Sequence, residues 1–394
     1  MGDNTIGFVM SAMLAGALLW MLQPVAHRFG LVDHPKGRKD HACPTPITGG
    51  LSIAIAVLAT LFLVGDASPA LVAFATGASL LIVVGLVDDA VDLRWWWRIL
   101  SQVAAALIMV YWGGVKVEYI GLLFSDAPLV LGAWSVPFTV FATVGIINAV
   151  NMADGSDGLA GSLCLVGLFM LGMAALYAGN DALFSLLLPV AAAIVAFLWF
   201  NMRLPWQRRA RVFLSNAGST FLGFTIAWMA FRLTQNANHP VSPVLAPWLL
   251  APPVIDCLVL IARRIKLGRS PFHADRDHMH HLLLDAGFTP TQIALGLAGV
   301  SLALGLGAAL LLKTDVGTET HLAIAFLLLT GAYYWLTSRR TRAVAILSRL
   351  RRTKVEPSCP VLVEPSRSAR ASTRPSRGWR RRTARRFAAR GGKL

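Results

Sequence analysis

The sequence is short of charge. Only 14% of its 394 residues are Asp, Glu, Lys or Arg, against 56% hydrophobic; a soluble domain carries roughly a quarter charged residues. This shortage excludes a chain that lives in water over most of its length. Cysteines are few as well: Cys43, Cys164, Cys257 and Cys359 are scattered, with no CxxC pair, which excludes a disulfide framework and a zinc signature of the usual spacing. Alternating apolar and polar strand patterns are missing from the long apolar runs. Those runs are rich in Leu, Ala, Val and Gly and about 17–22 residues long, so they read as membrane helices and not as barrel strands.

What is there is an all-α polytopic membrane protein with about eleven transmembrane helices. The predicted spans are residues 5–25, 48–64, 68–87, 99–113, 134–152, 158–178, 181–200, 217–236, 243–263, 290–312 and 320–338. The first is too long for the apolar core of a signal peptide and has no evident small-residue cleavage site, so it reads as retained. Residues 114–133 alternate at Val115, Val117 and Tyr119 and suggest a short hairpin. Eleven spans place successive loops on opposite sides. Of the 18 Lys and Arg before Arg339, 15 fall on one set of loops, and only Lys116, Arg232 and Lys313 lie on or near the other. The positive-inside rule then puts the basic loops in the cytoplasm, the N-terminus outside and the C-terminus inside.

The formal net charge of +16 belongs to the C-terminal tail, where 18 Lys and Arg stand against 2 Asp and Glu from Arg339 onward. The chain thus divides into a membrane-embedded part, 1–338, and a basic tail, 339–394. The tail is Arg-, Ser- and Pro-rich and reads as disordered and held near anionic headgroups, with no nucleic-acid partner expected.

Ionisable residues at the edge of an apolar span are costly and usually functional. Here they collect at the cytoplasmic ends of the spans. Asn148 to Gly161 reads NAVNMADGSDGLAG, with Asn148, Asn151, Asp154 and Asp157 between two spans. Asp88, Asp89 and Asp92 end the third span, and Phe213 and Asn216 open the eighth. Asp33, Lys36, Arg38, Lys39 and His41 fill the first inner loop. Asp256, Arg263, Arg264, Arg269, Arg276, His278, His280 and His281 stand in or near the last large one. Clustered Asp and Asn oxygens suit Mg²⁺, which keeps water and substrate phosphate in its shell. Basic residues beside them suit a phosphorylated substrate. Together they point to phosphoryl chemistry at the lipid–water boundary, with one lipid phosphate and one soluble substrate. A transporter would instead line a path near the bilayer midplane.

Five ordered motifs sharpen this: DHPxxRKxHxxPTPxxGG, DDxxD, NAxNMxDGxDGLAG, VFxxxAGS and SPFxxDRxHxHH, spanning Asp33 to His281. The series resembles the polyprenyl-phosphate N-acetylhexosamine-1-phosphate transferases, and the HxHH pattern its GlcNAc-using branch. The resemblance implies eleven helices and transfer of GlcNAc-1-phosphate from UDP-GlcNAc to undecaprenyl phosphate, with Mg²⁺, or Mn²⁺ in its place. A homodimer is compatible with it. The peptidoglycan branch, which uses phospho-MurNAc-pentapeptide, is the alternative on substrate. By resemblance, Asp88 or Asp89 is the base or phosphate-orienting acid. Asp154 and Asp157 serve nucleotide binding and catalysis, and Asn151 is a metal-side amide. Phe213 stacks on uracil, Arg264 supports the inner loop, and His278, His280 and His281 meet the sugar diphosphate. Asp33, Lys39, His41, Asp92, Asn148 and Arg276 complete the substrate set.

One departure stands out. The family usually reads Gly-Asp-x-Gly-Ser at the start of the eighth span, with that Asp a Mg²⁺ ligand, and here Ser215-Asn216-Ala217-Gly218-Ser219 takes its place. A neutral amide should hold Mg²⁺ less tightly, by about a few kcal/mol, because charge-assisted contacts are the strong ones. An active transferase and a catalytically impaired homologue both remain open at this point.

Overall fold

The computed structural model describes residues 2–33, 44–65, 67–125, 127–235, 241–271, 276–314 and 316–349. In chain order the elements are α1 (Gly2–Phe29), β1 (Val32–Asp33), β2 (Thr45–Pro46), α2 (Gly49–Val64), α3 (Pro69–Val91), α4 (Trp95–Tyr111) and α5 (Ser135–Ala153). There follow α6 (Leu159–Tyr177), α7 (Asp181–Asn201), α8 (Ser215–Thr234), α9 (Ala251–Lys266) and α10 (Met279–Asp285). Last come α11 (Pro290–Lys313), α12 (Glu319–Thr337) and α13 (Arg340–Arg349). Each predicted span is helical over its described residues. Among the described residues eight helical segments are long and apolar enough to cross a membrane. Of the other three, α2 has 16 residues and α4 has 17, while α8 carries many small and hydroxyl residues because it lies in the middle of the bundle.

The order of contacts explains the core. α8 packs on α2, α3 and α5 and is buried nearly all round, with Phe221, Phe224 and Trp228 almost wholly covered. Phe74 of α3 stacks on Phe224 at 5.9 Å and meets Trp228 edge-on at 5.4 Å. The helices approach through small residues, since lipid supplies no hydrophobic drive and close packing must do that work. A Cβ at Gly50 of α2 would lie 2.2 Å from the backbone of Gly218 in α8, so at this crossing only glycine fits. Apolar side chains on the periphery, such as Trp20, Phe141 and Leu327, are exposed, as expected of a surface that meets hydrocarbon.

Several boundaries differ from the predicted ones for physical reasons. α3 runs on to Val91 because Asp88 and Asp89 find partners inside the fold. α4 begins at Trp95, with Trp96 and Trp97 stacked at 4.0 Å. The ninth span is two pieces, a 3₁₀ helix at Pro243–Leu250 and then α9. The break falls before Pro252 and Pro253, which lack the N–H a continuous helix would need and sit instead in the first turn of α9. The predicted hairpin in 114–133 is a single antiparallel bridge, Tyr119 to Val130. The irregular tail expected from 339 is corrected at its start, where Arg340–Arg349 is helical; residues 350–394 lie outside the described residues.

The alternation of helices brings the C-terminal ends of α1, α3, α5, α7, α9 and α12 to one end of the bundle, with the N-terminal ends of α2, α4, α6, α8 and α11. The described residues of the polar motifs lie there. A two-residue antiparallel pair, Val32 with Pro46 and Asp33 with Thr45, ties the chain after α1 to the approach to α2. That approach is in turn bound to the lead-in of α8: Phe213 N–H donates to Pro46 O at 2.8 Å, and Gly49 and Gly50 N–H donate to Phe213 O and Leu214 O at 3.0 Å.

Candidate active site

The N-terminus of α8 is the centre of the polar end. A helix start leaves backbone N–H groups without intrahelical partners and carries partial positive charge, so it attracts carboxylates. Three carboxylates meet it. Asn216 N–H donates to Asp89 Oδ1 at 3.2 Å, with Ala217 N–H also on this carboxylate. Ser215 N–H donates to Asp154. Asn216 Nδ2 donates to Asp88 Oδ2 at 2.7 Å. Residues far apart in sequence are thus set side by side on one turn of backbone.

The carboxylates are not equivalent. Asp88 is 4% exposed and filled: Leu93 N–H donates to Oδ1 at 2.9 Å, while Arg98 at 3.4 Å and Asn216 both reach Oδ2. Asp89 Oδ2, in contrast, is buried with no hydrogen-bond partner among the described residues. Asp154 lies just beyond α5; burial, and then the neighbouring Asp89 and Asp157 carboxylates, push its carboxyl up to about 7. Asp157 is bound in an ion pair with Arg203, Nε to Oδ2 at 2.6 Å.

The two amides expected as metal ligands are engaged with each other. Asn151 Nδ2 donates to Asn216 Oδ1 at 2.9 Å and to Ser219 Oγ at 2.8 Å. With Oδ1 accepting and Nδ2 donating to Asp88, the Asn216 amide is used at both ends, and the Asp88 acceptor fixes which end is nitrogen. Asn216 therefore clips α3 to α5 across the start of α8. The residue before it, Ser215, has φ of 68°, a left-handed conformation that costs a side-chain residue about 1–2 kcal/mol and that glycine adopts freely. Ser215→Gly is expected to raise the unfolding free energy by about 1 kcal/mol, read from denaturant unfolding in detergent; an unchanged or lower midpoint would contradict the strain.

The histidine loop closes over the acidic turn. His280 is 4% exposed, stacked near-parallel with His278 (5.5 Å) and tilted on His281 (4.3 Å). A Cβ on Gly155 would lie 2.2 Å from His280 Nε2, so the glycine of Asp154-Gly155 is the floor on which the imidazole rests. Burial, and then the positive neighbours, hold His280 well below the usual imidazole pKa. Gly155→Ala is expected to destabilise the protein by about 1–3 kcal/mol, the range for overpacking a filled site, measured by thermal unfolding. Wild-type stability would show that the ring can step aside.

Other predicted residues hold the frame. Asn148 Nδ2 donates to Gln102 Oε1 at 2.7 Å and to Val144 O at 2.8 Å, tying α5 to α4 one turn away from Asn151. Asp92 is the exposed, left-handed residue that ends α3. Arg264 is buried and donates to Pro271 O at 2.6 Å, holding the loop after α9. Asp33 sits in β1 and Phe213 just ahead of α8, both half-buried. Arg276 is exposed. Lys36, Arg38, Lys39 and His41 lie outside the described residues. Sequence reading missed Arg98, Arg203, Asn201 and Tyr333. Asn201 accepts from Gly158 N–H at 2.7 Å and donates to Val212 O at 2.8 Å, linking the acidic turn to the lead-in of α8. None of the four carries a spacing signal; an unexplained polar residue at the site end of a span was the available clue.

Among the described residues no group of three His, Cys, Asp or Glu side chains has the geometry to hold a metal ion by itself. Residues 71–234 match the family described as Glycosyl transferase family 4. The chain is similar to the undecaprenyl-phosphate alpha-N-acetylglucosaminyl 1-phosphate transferase of Escherichia coli K12, at 33% identity over 85% of this chain and 91% of that protein. It is 34% identical to the Yersinia pestis protein of the same name, over 85% and 92% of the two chains. To the Haemophilus influenzae one it is 32% identical, over 72% and 80%. With the motif series in order and the carboxylates gathered at one membrane end, the chain belongs to glycosyl transferase family 4, the polyprenyl-phosphate N-acetylhexosamine-1-phosphate transferases.

Proposed function

We propose that the protein transfers GlcNAc-1-phosphate from UDP-GlcNAc to undecaprenyl phosphate, giving undecaprenyl-diphospho-GlcNAc and UMP, at the start of O-antigen or related surface polysaccharide synthesis. The observation that carries this is the set of three carboxylates, Asp88, Asp89 and Asp154, gathered on the first turn of α8 at one end of a bundle of apolar helices. A lipid phosphate arrives from the bilayer and a nucleotide sugar from water, and an end of the bundle serves both. The basic-loop count supports a cytoplasmic site in the inner membrane.

The donor set fits Mg²⁺, or Mn²⁺, bound together with substrate phosphate. Asp89 Oδ2 is a buried oxygen without a partner among the described residues, and Asp154 lies beside it with its charge opposed by its neighbours. Adjacent like charges in a half-buried site call for a cation, and hard oxygens suit this one. Asp89 and Asp154 would hold it, with the donor's pyrophosphate completing its shell. When bound, the ion would neutralise the pyrophosphate and polarise the phosphorus under attack. Asp88, already filled, serves as the anchor that fixes Arg98 and Asn216. Phe213 would stack on uracil, and His278, His280 and His281 would meet the sugar diphosphate. We favour direct attack by the lipid phosphate on the β-phosphate, because it is already an anionic nucleophile.

The test is a purified preparation in detergent with undecaprenyl phosphate, Mg²⁺ and, in separate reactions, UDP-GlcNAc, UDP-GalNAc and UDP-MurNAc-pentapeptide. The reading expects lipid product and UMP from UDP-GlcNAc above the others. Product from the MurNAc donor alone would overturn it. A second reading, a catalytically impaired homologue, is favoured by one observation: Asn216 spends both ends of its amide inside the protein.

A further inference from the structure

Most of the polar end is held by α3, α5 and α8, but the histidine loop is held by the helices after the family motifs have ended. Tyr333, Thr337 and Arg340 recur at spacings of four and three, so they share one helical face carried across the short break between α12 and α13. Each meets a residue of the loop or of the helix that launches it. Tyr333 OH donates to Asp256 Oδ1 at 2.6 Å, beside Met279 N–H at 3.0 Å. Asp256 Oδ2 in turn faces His278 Nδ1 at 3.2 Å. Thr337 Oγ1 accepts from Arg263 Nη2 at 2.6 Å. Arg340 reaches Arg276 O and Asp277 Oδ1 at 2.8 Å and Asp285 Oδ2 at 2.5 Å. The strip therefore grips the loop on both sides of His278, His280 and His281.

We propose that Tyr333 and Arg340 are positioning residues, which fix the histidine loop over the acidic turn so that the His278 ring is held in one orientation toward the sugar end of the donor. This rests on the reading of the site as a sugar-phosphate transferase. Asp256, buried and held by two donors on Oδ1, accepts from His278 at Nδ1. That fixes the ring's tautomer and direction, as a partner on the other ring nitrogen does in metal and triad sites. Tyr333 holds the carboxylate still. Arg340, a planar fork with three acceptors around it, closes the loop at Arg276–Asp277 and at the end of α10. The last span thereby becomes part of the donor site without touching the donor.

Tyr333→Phe keeps the ring, which packs on the apolar cluster between α9 and α12, and removes only the hydroxyl. Loss of one hydrogen bond to a charged group is expected to raise the KM for UDP-GlcNAc about tenfold and leave the KM for undecaprenyl phosphate unchanged. Arg340→Ala should do the same, and Arg340→Lys should recover part of the loss. Leu328→Ala, on the exposed face of α12, is the control and should match wild type. Two readouts do not need turnover: direct binding of UDP-GlcNAc, and the ¹⁵N-histidine spectrum with His278 assigned by subtraction in His278→Asn. Wild type should show the proton on Nδ1 of His278, and Tyr333→Phe a shifted or broadened signal with about tenfold weaker binding. Wild-type binding and an unmoved His278 signal in both Tyr333→Phe and Arg340→Ala would overturn the proposal. If wild type binds the donor but transfers nothing, the transferase reading fails and the spectra still decide the positioning.

Discussion

Asp89→Asn is expected to lower transfer about 10³-fold, the range for removing one preorganised charge contact at a reacting centre, while the protein still folds. Asp89 accepts from the backbone of α8 through Oδ1 and leaves Oδ2 buried without a partner among the described residues; this is the oxygen proposed to meet the cation and the donor phosphates. An amide at this position keeps the shape and can still accept from Asn216 N–H, but loses the charge. Asp88→Asn should behave differently. Its carboxylate is saturated by Leu93, Arg98 and Asn216, so the change breaks a buried network and should appear mainly as lost stability, about 1–3 kcal/mol. Paired measurements of transfer and of thermal unfolding separate the two. Near-normal transfer by Asp89→Asn, or an equal loss of stability in both variants, would refute the division of roles.

Asn216→Asp should change how the protein depends on Mg²⁺. The present amide donates to Asp88 and accepts from Asn151, so the start of α8 is held together with no cation needed. A carboxylate there would lose the bond to Asp88 and place like charges face to face. Without divalent cations the variant should be less stable by about 1–3 kcal/mol. With Mg²⁺ it should regain that stability, and half-maximal transfer should need about tenfold less Mg²⁺, since a charged ligand binds the ion more tightly than an amide. Unfolding midpoints and transfer rates across a Mg²⁺ titration test both halves. If only the variant turns over, the wild-type chain is the impaired homologue. If the two titrations coincide, Asn216 has no bearing on the metal.

The helices were legible because membrane spans announce themselves: in hydrocarbon a segment must satisfy its own backbone, and long apolar runs have one way to do so. Their ends were less legible. Asp88 and Asp89 read as a loop edge, yet they continue α3 because Asn216 of α8, 128 and 127 residues further along the chain, donates to both. The gathering of NAVNMADGSDGLAG with Asp88, Asp89 and Asn216 was expected, and the structure places them together. The split between a filled Asp88 and an open Asp89 was not expected, because it depends on Leu93 and Arg98 folding back. Asp157 read as one of a catalytic pair; its ion pair with Arg203 is a contact across α6 and α7 that no spacing encodes. The tail read as irregular from 339 on composition alone, whereas Arg340 has Asp277 and Asp285 as partners and its helix forms around them.

In the proposed reaction sugar and β-phosphate leave the nucleotide together. UDP-GlcNAc labelled with ³²P in the β-phosphate, incubated with the protein, undecaprenyl phosphate and Mg²⁺, should pass its label to the lipid fraction and release unlabelled UMP. Label retained in released UDP, with sugar alone on the lipid, would contradict the account.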